Sequence, residues 1–120
     1  MIKFKDSVNI LGTEYKVVLG NKTQYPVLEI MDGCADTSIK RLLIDDASFV
    51  RDEVDAKQDM DSYIKEVLRH EIIHAFLFES GLEGNTSSVD HWANSEEIVD
   101  WFALQSPKIF KAFQEVGCLG

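Results

Sequence analysis

The sequence predicts an α+β fold: a small N-terminal β-sheet, then a helix bearing an HExxH motif, then two further helices. Three observations predict it. Short apolar runs separated by turn signals fill the first 45 residues. Residues 62–79 contain neither Pro nor Gly, and beyond residue 95 apolar positions recur at helical spacing. The 120-residue length fits one domain spanning 1–120 with a single core.

Taken in order, Val8-Asn9-Ile10-Leu11 and Tyr15-Lys16-Val17-Val18-Leu19 flank Gly12-Thr13, which predicts a hairpin. Pro26 to Met31 reads as another short strand that ends at Asp32-Gly33, and Lys40 to Asp45 as a further strand. The acidic stretch 51–61 makes a linker into the first helix, for which Asp61 or Ser62 can act as N-cap. Gly81 supplies the stop. After a polar loop over 83–94, Ser95 caps a second helix from Glu96 to about Gln105, and Pro107 opens a third.

The chemistry is concentrated in "VLRHEIIHAF", residues 67–76. His70 and His74 are one helical turn apart, so both imidazoles leave the same face. Two nitrogens fixed on a rigid helix suit tetrahedral zinc and leave room for a third protein ligand and a water. Glu71 stands beside the first histidine, where a carboxylate can take a proton from the metal-bound water and deliver it to a leaving group. Val67, Leu68, Ile72, Ile73, Ala75 and Phe76 make the helix apolar on nearly every side, and histidines buried on it need partners. A core helix with hydrogen-bonded histidines accounts for the pair but not for Glu71.

Leu77 and Ser80 occupy the positions at which a metzincin needs glycine and histidine, which excludes that arrangement. In "NSEEIVDWFA", 94–103, Glu96 and Asp100 share a helix face. Glu96 is a candidate third ligand, and Asp100 a candidate acceptor for the free ring N–H of a metal-bound histidine. Glu97 and His91 are the alternative third ligands. For an oxyanion donor, Tyr63, His91 and Arg69 are available; Arg69 is also placed to pair with an acidic neighbour. The strand over 40–45 is a candidate sheet edge above the cleft, where an extended substrate could pair.

HEIIH followed by Glu96-x-x-x-Asp100 resembles the gluzincin metallopeptidases, whose third ligand is a glutamate on a following helix. The form E-x-x-V-D-x-F-A at 96–103 is similar to small phage- and mobile-element-associated peptidases related to the ImmA/IrrE family. Residues 62–116 carry the likeness, while the N-terminal part matches only in layout. Those families often have asparagine before the ligand glutamate; here it is Ser95, and Glu97 duplicates the acid, so the register can slip by one. SprT-like peptidases use a loop histidine instead, but the glycine that follows it there is Trp92 here. The resemblance implies a minimal zincin: a zinc-dependent peptidase hydrolysing peptide bonds, with zinc on His70, His74 and Glu96, Glu71 as base, and a protein or peptide substrate. A metal-stabilised, non-catalytic interaction or regulatory module of a phage or mobile element fits the same residues, although an intact Glu71 favours the enzyme.

Composition sets the remaining bounds. A net charge of -9 disfavours nucleic acid as a partner, because polyanions are repelled. Charges interrupt the first residues and no apolar run spans a bilayer, so neither a secretory signal nor a membrane partner is expected. Cys34 and Cys118, the two cysteines, are far apart and lack a CxxC pair, in keeping with a reducing, cytoplasmic setting.

Overall fold

The computed structural model of the chain describes residues 2–48, 59–84 and 95–119. Strands β1 (Ser7–Ile10) and β2 (Thr13–Gly20) form the expected antiparallel hairpin. Its two-residue turn places Leu11 at φ 50° and Gly12 at φ 93°, and the Asn9 side chain accepts from the Gly12 N–H at 2.8 Å. Two successive positive φ values match the right-handed twist of the flanking strands, and the glycine supplies one of them at no steric cost.

The next segment departs from expectation. Pro26–Glu29 is a short 3-10 helix rather than a strand, with Pro26 in its first turn and Leu28 buried. Proline lacks an N–H and carries the fixed φ of a helical first turn, so it fits there better than in a ladder. The strand comes later, as β3 (Gly33–Asp36), followed by β4 (Arg41–Asp45). Sheet order is β1-β2-β4-β3, with β4 parallel to β2 and antiparallel to β3. β4 is therefore central, and the edge predicted for the 40–45 strand belongs to β3. The physical reason is burial: Leu42, Leu43 and Ile44 have no exposed surface. A strand with consecutive apolar residues buried on both faces belongs inside a sheet.

Helix α1 (Met60–Glu79) lies across β3 and β4, starting two residues earlier than predicted. Asp59 is the cap, its carboxylate accepting from the Ser62 N–H at 3.0 Å. The helix ends where Gly81 takes φ 82°. Its apolar face closes two linked clusters. Ala75 joins Ile10, Tyr15 and Leu42, while Ile64 and Met60 join Ile44 and Ala47. Fully burying side chains of this size contributes about 1.5–3 kcal/mol each before entropy is charged.

Helix α2 (Glu96–Val116) corrects the expectation of two separate helices: it runs unbroken through Pro107. Ser95 caps it as predicted, accepting from the Ile98 N–H. A proline inside a helix removes the N–H that would reach the carbonyl four residues back, here Ala103. In this chain that carbonyl accepts from the Arg69 Nε–H of α1. Arg69 therefore satisfies a group that proline leaves open, and the same bond ties α2 to the residue beside His70. No described helix is long and apolar enough to cross a membrane.

Candidate metal centre

The site forms where α1, the first turns of α2 and the edge strand β3 meet, in a cleft of about 520 Å³. From α1, His70 and His74 project together, their Nε2 atoms 3.0 Å apart. From α2, Glu96 reaches both: one carboxylate oxygen is 2.9 Å from His70 Nε2 and the other 2.9 Å from His74 Nε2. One turn later, Asp100 Oδ1 is 2.6 Å from His70 Nδ1. His70, Glu71 and His74 form a group whose donor atoms lie within 4.8 Å of one another and could hold a metal ion.

Burial grades these groups by depth. The Glu71 side chain is 9% exposed and those of the histidines 15% and 18%, whereas Glu96 and Asp100 are about two-thirds exposed on the solvent side. Glu71 Oε2 is 4.0 Å from His70 Nε2, beside the cluster and farther from the histidines than Glu96 is. Burial pushes the Glu71 carboxyl up to about 7; the nearby His70 and a backbone N–H from Ala35 oppose the shift, and the charge of Glu96 adds to it. Burial likewise holds His74 below the ordinary histidine range, which keeps its imidazole neutral and able to ligate.

The hydrogen bonding imposes a charge requirement. Asp100 accepts from His70 Nδ1, so a neutral His70 aims its Nε2 lone pair at His74 and Glu96. Two imidazole nitrogens and two carboxylate oxygens then converge with nothing positive among them. A proton on His74 Nε2 satisfies its contacts to His70 and Glu96 but leaves the His70 Nε2 lone pair 2.9 Å from a Glu96 oxygen. A cation satisfies all of these atoms. The 2.9–3.0 Å separations bring two ring nitrogens and a carboxylate close enough for one metal ion to be held between them.

The structure thus brings together His70, Glu71, His74, Glu96 and Asp100. Glu97, one residue from Glu96, is exposed, and the short contacts to the histidines are made by Glu96. His91 lies outside the described residues. Among the oxyanion candidates, Arg69 is committed to the Ala103 carbonyl rather than to an acidic side chain. Tyr63 borders the cleft, and its hydroxyl donates to Asp32.

Sequence reasoning missed β3. A Cβ on Gly33 would lie 2.7 Å from Val67 and 3.1 Å from the Glu71 carboxylate. Only glycine lets the edge strand come this close, and Ala35 two residues on donates its N–H to Glu71. The available signal was Gly33 itself, since a glycine in a strand often marks close backbone approach. Comparison with protein-family models, curated proteins and solved structures finds no match to this chain.

Asp100→Asn tests how far the orientation of His70 matters. Asparagine can accept from Nδ1 but carries no charge to make the imidazole a better donor. Metal affinity should fall about 10–100-fold with the helix content unchanged, as measured by competition with a chromogenic chelator.

Proposed function

We propose that this protein is a zinc-dependent peptidase of minimal zincin type. The observation that carries the reading is the convergence of His70, His74 and Glu96 on one point, with Asp100 behind His70 and the buried Glu71 alongside. His70, His74 and Glu96 hold the ion, and Asp100 fixes the tautomer of His70. A zinc ion in this position would polarise a carbonyl and acidify water. Glu71 takes the proton from the attacking water and carries it to the leaving amine. Its burial beside the histidines places the carboxylate where it can both accept and return a proton.

A peptide is the substrate class that the surroundings favour. The cleft runs along β3, which pairs only with β4 among the described residues and turns its other edge toward the cleft, with the Ala35 N–H on that edge given to Glu71. An extended chain can add to such an edge through backbone hydrogen bonds, bringing one of its amides over the histidines.

The test is to purify the full chain, measure bound metal, and incubate it with an unstructured protein substrate while following new termini by mass spectrometry. About one zinc per chain is expected, together with cleavage that a chelator stops and zinc restores. Glu96→Ala should lose zinc, whereas Glu97→Ala should keep it. A folded protein that takes up no divalent ion would end the proposal; zinc uptake with no cleavage of any substrate would leave a metal-stabilised binding module in its place.

A further inference from the structure

Helix α2 presents two apolar faces, and the body of the protein uses one. Val99 and Ala103 are fully buried toward α1, on the side that also carries Glu96 and Asp100. Elsewhere on the helix, Ile98, Trp101, Phe102, Phe113 and Val116 are exposed by 38%, 54%, 41%, 41% and 77%. At 100° per residue these five form one stripe roughly 120° wide, pointing away from the body. From Pro107 to Val116 every residue except Ile109 is exposed. A helical stretch of that length with so little of it buried is marginal in water. Yet its end is well formed: Gly117 takes φ 73°, and the N–H groups of Gly117 and Cys118 return to the Gln114 and Phe113 carbonyls.

We propose that a second copy of this chain covers the stripe through an antiparallel α2–α2 pair. Contiguity is the first argument. The five exposed side chains make one contiguous apolar patch, with Phe110, 55% exposed, lying off it, and a patch of this kind on a folded chain marks an interaction surface. Charge is the second, and it sets the direction. Glu97 lies beside the stripe near the N-terminus of α2, and Lys108 and Lys111 lie along the same flank in its second half. In a parallel pair this flank of one helix would lie on the opposite side of the seam from the same flank of its partner, so these charges would not meet. In an antiparallel pair with Ile98 level with Phe113 of the partner copy, Phe102 comes level with Ile109, and Glu97 falls within one turn of Lys111 across the seam. The C-terminal half of each helix then gains a surface to pack on. Metal binding plays no part in this contact.

Sedimentation equilibrium of the full chain from about 1 to 100 μM tests it. A reversible dimer is expected, with Phe113→Glu and Trp101→Glu both monomeric and still cooperatively folded, losing at most the ellipticity of the C-terminal half of α2, since neither side chain is in the core. Glu97→Lys should weaken the dimer roughly 3–10-fold, and Lys111→Glu in the same chain should restore it. The direction has its own readout. In a Cys34→Ala background the exposed Cys118 residues of an antiparallel pair lie roughly 35–40 Å apart and should resist disulfide formation. A monomer throughout the range, a dimer indifferent to both Phe113→Glu and Trp101→Glu, or ready Cys118–Cys118 cross-linking would each overturn the proposal.

Discussion

Glu71→Gln should lower peptide cleavage by about 10²–10⁴-fold, leave zinc bound, and make the metal-free protein more stable. The two effects have one origin. A carboxylate that is 9% exposed is raised to about 7 mainly by burial, so its ionised form costs folding energy near neutral pH. For an acid raised above its unfolded value of about 4.3, the stability is fully present below that value and is lost as pH rises through the folded value. The chelated wild type should therefore weaken between about pH 4 and pH 7, while the glutamine variant escapes that loss. The gap between them should open to the order of 3 kcal/mol by pH 7, level off above it, and close below about pH 4. Urea denaturation in chelator at several pH values measures it. A constant gap across the range would mean that the carboxylate is not desolvated as described, and undiminished cleavage would mean that another group moves the proton.

The second large effect lies outside the cluster, at Arg69. Arg69→Ala should cost about 1–3 kcal/mol, because the Ala103 carbonyl loses the donor that stands in for the N–H missing at Pro107. Zinc affinity should fall as well, although Arg69 touches no ligand, because α2 is held less firmly where it delivers Glu96 and Asp100. Pro107→Ala provides the control. An alanine N–H at that position can bond Ala103 directly, so Arg69→Ala should cost markedly less in that background, with a coupling of at least about 1 kcal/mol in a double-mutant cycle. Equal costs in both backgrounds would show that Arg69 contributes only packing or charge. A drop in stability without any change in zinc affinity would separate helix docking from the site.

The parts of the site visible in the sequence are those governed by one helix at a time. His70 and His74 share a face because the helical period places residues four apart one above the other, and the same rule joins Glu96 to Asp100. Choosing Glu96 over Glu97 depended on the rotation of α2 against α1. That rotation is set by Val99 and Ala103 seating on α1 and by the Arg69 bond, and neither is a local property. The strands show the same division. The hairpin follows from its turn residues, but a run such as Arg41–Asp45 looks alike at the centre or the edge of a sheet until its neighbours are known.

From the sequence alone came the α+β order, the hairpin, the caps at Ser95 and Gly81, and the pairing of His70 with His74 and of Glu96 with Asp100 on their own helix faces, because turn chemistry and helical period act over a few residues. Tertiary structure decided that β3 rather than β4 forms the edge, that Gly33 and Ala35 lean on Glu71, and that α2 crosses Pro107 without a break. Each of these depends on groups distant in the chain satisfying one another: a backbone that needs the space of a glycine, a buried carboxylate that needs an N–H, and a carbonyl that needs the arginine of another helix.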